Sequence, residues 1–227
     1  MAIDLSGVPE EKRTYTMCRA SVMTAALQLK YVPEQLQTAE LCLEAVGKDG
    51  GALEHVENQT PEICMTAVRQ IGLALMYVHD QTPEICLAAV EQNGMALCYV
   101  KEQTPEICLA AVMENGDALE YVKEQTSGLC LAAVEEWGSA LQYVKDQTPE
   151  ICLAAVRQNG YALKYVKDQT LPIAIAALKQ DPYSRKYLAD KFRTPEVYEA
   201  AGYDYKSEDL APLRNGTKRD RNRTVIL

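Results

Sequence analysis

Apolar and polar residues alternate along the chain with a period of 22, and the clearest copy is Thr82–Gln103, TPEICLAAVEQNGMALCYVKEQ. Near-copies follow at Thr104–Gln125, Thr126–Gln147 and Thr148–Gln169; Thr60–Gln81 and, more loosely, Thr38–Gln59 precede it. A fixed period of this length predicts a stack of one supersecondary unit. Numbering each unit 1 to 22, the apolar run Ile85–Val90 at positions 4–9 predicts a first helix, A, buried on several sides. Thr at position 1 and Pro at position 2 suit the start of that helix, and Glu at position 3 favours its positive end. Gly at position 13 (Gly50, Gly72, Gly94, Gly116, Gly138, Gly160) is placed for a left-handed cap that ends it. A second helix, B, then carries Ala96, Leu97 and Val100 on one face, with positions 14, 17 and 21 on the other. Lys at position 20 (Lys101, Lys123, Lys145, Lys167) suits the negative end of helix B.

Neither helix is long enough to hold alone. The expected fold is therefore all-α, an α-solenoid of eight helical hairpins with divergent ends, very roughly 70 Å long at one helix-packing distance per unit. The expected organisation is a polar lead at 1–13, units at 14–35, 38–59, 60–81, 82–103, 104–125, 126–147, 148–169 and 170–191, and an extension at 192–227. The first and eighth units lack the full pattern, as end caps do. The extension ends in a basic cluster, Arg214, Lys218, Arg219, Arg221 and Arg223. It reads either as a mobile terminus or as a docking peptide.

Composition narrows the function. A net charge of −9 lacks the basic footprint of a nucleic-acid binder, so direct nucleic-acid binding is not expected. No run is apolar enough to span a membrane, and the first residues are unlike a signal peptide, so a cytoplasmic protein is expected. Seven of the eight cysteines fall at position 5 of successive units, about a helix-packing distance apart, which is too far for disulfides. They read as small buried residues, and Cys98, at position 17, as an accessible thiol.

The two histidines, His55 and His79, occupy different positions in consecutive units, and the sequence has no hydrolase, phosphate-binding or zinc-protease motif. No catalytic, cofactor or metal-binding residue is assigned, and an enzyme is not expected. Tyr recurs at position 18 (Tyr31, Tyr77, Tyr99, Tyr121, Tyr143, Tyr165, Tyr187), either to pack at unit junctions or to line a groove. The sharper signal is variation at positions 10, 14 and 17 on an otherwise constant scaffold. Leu73, Met76, Met95 and Cys98 would form an apolar patch across two units; Met113, Trp137 and Tyr161 extend the candidate contact surface.

The pattern TPEICLAAV…NG.AL.YV resembles a tandem-repeat family catalogued only as a domain of unknown function, from bacteria, including intracellular ones with secreted effectors, and from large viruses. The resemblance implies helical-hairpin stacking over Thr38–Gln169, brings no catalytic residues, and extends the expected location to delivery into a host cell. The expected function is a scaffold that binds an unidentified protein through helix B. The alternatives are an acidic inhibitor or decoy occupying a basic site, and self-association through the solenoid ends; the oligomeric state is left open.

Overall fold

A computed structural model describes residues 4–203. Among these residues all regular structure is helical, and it repeats with the sequence period. Eight ten-residue α-helices occupy positions 2–11 of the units: α1 (Tyr15–Thr24), α2 (Ala39–Lys48), α3 (Pro61–Gln70), α4 (Pro83–Gln92), α5 (Pro105–Glu114), α6 (Ser127–Glu136), α7 (Pro149–Gln158) and α8 (Leu171–Gln180). The position-1 threonine caps the first seven by accepting the N–H of position 4, as Thr104 does from Ile107 at 3.3 Å. A short ninth helix, α9 (Pro195–Ala200), follows.

The second arm of each unit is a six-residue 3₁₀ helix rather than an α-helix, for example Gly94–Tyr99 and Gly116–Tyr121. With three residues per turn, residues three apart eclipse one another. Ala and Leu at positions 15 and 16 are buried, as is Val at position 19 just past the helix end, while positions 14 and 17 stack into one outward ridge.

The position-13 glycine does not form the expected left-handed cap. The only glycine with positive φ among the described residues is Gly202. Helix α4 instead ends in extended backbone at Asn93 (φ −155°), whose side chain accepts the N–H of Met95 and caps the 3₁₀ helix. Glycine is required because the next unit comes too close. A Cβ on Gly138 would stand 2.6 Å from the carbonyl oxygen of Ala155.

The α-helices stack in one layer and the 3₁₀ helices in a second, each α-helix packing on the 3₁₀ helices of its own and the preceding unit. The core between the layers is one ladder: Ile85, Cys86, Ala89, Val90, Ala96, Leu97 and Val100, then the same positions 22 residues on. Positions 6 and 7 of the apolar run turn out of it. Leu87 and Ala88 are half-buried and Leu109 is 44% exposed.

Glutamine joins the units at both edges. Gln103, at position 22, donates to the Tyr121 carbonyl of the next unit at 2.9 Å and accepts the Lys123 N–H at 3.0 Å. Gln158, at position 11, accepts the Gly138 N–H of the preceding unit and donates to the Glu136 carbonyl, both at 2.8 Å. A primary amide has an acceptor and two donors, which suits it to bridging backbone of two units.

The ends reuse the same parts. Within the expected polar lead, Leu5 is fully buried where a position-16 leucine would lie, and Arg13 donates to the Tyr31 carbonyl as a position-22 glutamine does. The lead is thus the second arm of a unit, and α9, which begins Thr194-Pro195-Glu196 and packs on α8, is the first arm of another.

Candidate interaction face

The outward ridge is built by the 3₁₀ geometry. Gly72–Tyr77 and Gly94–Tyr99 pack on each other, so Leu73 and Met76 of one and Met95 and Cys98 of the next occupy equivalent outward positions on adjacent helices. Leu73 is 37% and Met76 49% exposed; Cys98 is exposed and Met95 half-buried. These four form the centre of the candidate face.

The other three predicted residues lie elsewhere. Met113 is near the C-terminal end of α5, on the α-layer, and Trp137 follows α6. The structure joins these two: the Trp137 indole Nε1 donates to the Met113 carbonyl at 3.2 Å, and the indole lies over Gly116. Both side chains remain more than two-fifths exposed. Tyr161 is on the ridge three units beyond Met95, with its ring edge-to-face on Tyr187.

The tyrosines at position 18 other than the exposed Tyr99 pack partly against the core at unit junctions, and the carbonyls from Tyr77 to Tyr187 receive the glutamine amides. Three of the hydroxyls are harder to ionise than usual. For Tyr77 and Tyr143 partial burial is the main cause, reinforced by Glu54 and by Asp117 with Glu120 respectively; for Tyr121 it is the charge of Glu120. These carboxylates belong to the ridge, so they stand close beside the tyrosine ladder.

The seven position-5 cysteines are buried thiols, and burial pushes each above its ordinary pKa. The lysines at position 20 act between units rather than on their own helix. Lys101 Nζ donates to the His79 carbonyl at 2.8 Å and Lys123 Nζ to the Lys101 carbonyl at 2.7 Å. Grooves of similar composition recur along this edge; one of about 350 Å³ is lined by Thr82, Pro83, Cys86, Lys101 and Glu102 among others. His79 borders it, while His55 is half-buried in the second arm of its unit. The basic cluster Arg214–Arg223 lies outside the described residues. Among the described residues no helix is long and apolar enough to cross a membrane.

The glutamines at positions 11 and 22 are the structural residues that hydrophobic periodicity passes over. Position 22 signals itself by constancy, since Gln closes every unit from Gln59 to Gln169, whereas position 11 varies between Lys48, Gln70, Gln92, Glu114, Glu136, Gln158 and Gln180 and carries no such signal.

Comparison with known families gives one match. Residues 60–103, 82–125 and 128–171 each match the model of a family described as a domain of unknown function (DUF4116). Each match spans two structural units, and the first two overlap by one unit. No match was found among curated proteins or among solved structures. The matched segments, residues 60–125 and 128–171, are thus tandem helical repeats similar to a domain of unknown function.

Proposed function

We propose that the protein is a non-enzymatic scaffold that holds a partner protein against the outward ridge of its 3₁₀ layer. One observation carries this reading: on a scaffold whose core and junction positions repeat from unit to unit, the pair at positions 14 and 17 changes from each copy to the next between Gly51 and Lys164 and exposes contiguous apolar side chains, Leu73 and Met76 beside Met95 and Cys98. Exposed apolar patches of this kind mark interaction sites, and methionine adapts to varied partners. The repeated carboxylates offer no unique pair for acid–base chemistry. A cytoplasmic scaffold, or one delivered into a host cell as the family resemblance implies, fits the same features.

The test is affinity capture from a lysate of the native source, with wild type compared against Leu73→Lys/Met76→Lys/Met95→Lys after circular dichroism has confirmed folding. The expected result is a protein retained by wild type and lost by the variant, whose purified form repeats the difference in a titration at physiological salt. Equal retention by both would overturn the reading. Retention that is the same for both and collapses with added salt would instead favour an acidic decoy on a basic site.

A further inference from the structure

The chemistry of the outward ridge is sorted along the solenoid. Positions 14 and 17 hold Leu73, Met76, Met95 and Cys98 in units three and four, then Asp117 with Glu120, then the neutral Ser139 with Gln142. Units seven and eight end the series with Tyr161 and Lys164, then Tyr183 and Lys186. Successive 3₁₀ helices pack directly, so these pairs follow one another at about 8–10 Å.

Three of these four residues, Tyr161, Lys164 and Lys186, gather around the position-18 rings of Tyr165 and Tyr187. The Tyr161 and Tyr187 rings meet edge-to-face with centroids 6.0 Å apart. Lys186 Nζ lies 4.7 Å from the centre of the Tyr161 ring and 4.8 Å from that of Tyr187; Lys164 Nζ lies 4.3 Å from that of Tyr165. Aromatic faces position an ammonium group without neutralising it. Neither lysine has a carboxylate within ion-pairing distance among the described residues. Tyr183, 68% exposed, adds an open ring to the same surface.

We propose that units seven and eight anchor an acidic segment of the partner protein, its carboxylates meeting Lys164 and Lys186 and its apolar atoms lying on Tyr161 and Tyr183. The inference rests on the reading of the ridge as a binding face and names the partner's chemistry at one end of it. Charge complementarity selects this occupant. The chain carries a net charge of −9 and, apart from Lys30 in the first unit, the cations of the ridge stand at this end. A nucleic acid fits less well, because it needs a continuous basic track. A polyphosphate lying along the ridge would meet Glu120 and Asp117 within about 20 Å of Lys164. A segment with a few carboxylates fits a site two units long.

The test uses the full chain and a fluorescein-labelled peptide of Glu-Glu-Leu repeats, read by fluorescence anisotropy beside a Lys-Lys-Leu peptide and an oligothymidylate of equal length. The acidic peptide is expected to bind best, and Lys164→Glu/Lys186→Glu is expected to weaken it at least tenfold. Replacing Arg214, Lys218, Arg219, Arg221 and Arg223 by Gln should leave it within about twofold. Undiminished binding to the Lys164→Glu/Lys186→Glu variant, loss only with the second variant, or tighter binding of the oligothymidylate would each overturn the proposal. The two readings fail separately. A captured partner that needs Leu73 and Met76 but ignores Lys164→Glu/Lys186→Glu would keep the face and overturn the acidic anchor. Peptide binding that depends on Lys164 and Lys186, with no partner lost on changing Leu73 and Met76, would support the anchor and sink the face.

Discussion

The junction between units and the outward ridge are one residue apart in the chain, and they tolerate opposite things. Position 13 is Gly in six consecutive units, while position 14 beside it is Gly51, Leu73, Met95, Asp117, Ser139 and Tyr161. Both belong to the same 3₁₀ helix, so local helix geometry does not separate them. The next unit does. Position 13 faces a carbonyl of the following α-helix, whereas position 14 faces outward. Constraint in this solenoid is set by the neighbouring copy, and a residue that the neighbour does not touch is free to vary.

The strongest way to break that contrast is to place an alanine on each side of it. Gly138→Ala places a Cβ 2.6 Å from the Ala155 carbonyl oxygen and also crowds Gln158 and Asn159. Overpacking a rigid backbone contact is expected to destabilise by about 2–3 kcal/mol. Replacing the adjacent Ser139 by Ala should change stability by less than about 0.5 kcal/mol, as ordinary surface substitutions do. Denaturant midpoints of the two variants measure the difference, and similar midpoints would mean that the junction yields.

The second largest effect lies at the glutamine edge. Gln103→Leu removes the partner of the Tyr121 carbonyl and of the Lys123 N–H at once. Leaving the half-buried Tyr121 carbonyl and the more exposed Lys123 N–H without their partner is expected to cost about 1 kcal/mol. Hydrogen exchange at Lys123 should accelerate with it. Unchanged stability with unchanged exchange would show that water replaces the amide at no cost.

These two junction residues also show what the sequence conveys and what it conceals. The α-layer was legible because Thr, Pro and an apolar run at fixed offsets are helix-start signals in their own right, independent of any neighbour. The type of the second arm was not. Ala96, Leu97 and Val100 fit a period of 3.6 and a period of 3.0 equally over so short a stretch. The role of Gly94 is concealed for a related reason: a glycine ending an apolar run matches a left-handed cap, and only the packed neighbour shows that space rather than φ decides it. At the candidate face, Leu73, Met76, Met95 and Cys98 were readable as one surface, since equivalent positions in a repeat must share a face. Met113 and Trp137 were not readable as a pair, because their contact runs from one unit to the backbone of another. The half-unit around Leu5 escaped because too few residues remain to show the period.

The third effect sharpens the contrast from the interior. Every position-5 thiol from Cys18 to Cys152 is buried, and its pKa is raised by that burial. Such a group stays protonated in the folded chain after its unfolded counterpart, with an ordinary value of 9.0, has begun to ionise. Its contribution to stability is therefore complete below pH 9 and is lost as the pH rises through the folded value. Unfolding above pH 9 should release up to one proton per position-5 cysteine. Cys108→Ala, which copies the alanine the chain already has at Ala174, should cost about 1 kcal/mol near neutrality and make the alkaline loss shallower. Urea titrations across the alkaline range test this, and an unaltered slope would place the pH dependence in the tyrosines instead.

The smallest expected effect on stability comes where junction and surface meet, at Trp137. Neighbouring units have Asn at this position, and Asn115 accepts the N–H of Asp117 to cap its 3₁₀ helix. Trp137 provides no such cap for Gly138–Tyr143. It makes instead a hydrogen bond to the Met113 carbonyl and covers Gly116, with 42% of its surface left exposed. Trp137→Asn would exchange a bond across the junction for a cap within the unit. Each is of order 1 kcal/mol and the two act in opposite directions, so stability is expected to move by less than about 1 kcal/mol. A tryptophan that stability hardly requires, left half-exposed among copies that use a smaller residue, is the kind of side chain on which binding energy concentrates. The same substitution should therefore weaken retention of a partner captured through the ridge by tenfold or more. Loss of stability without loss of retention would assign Trp137 to the junction and confine the contact surface to the 3₁₀ ridge.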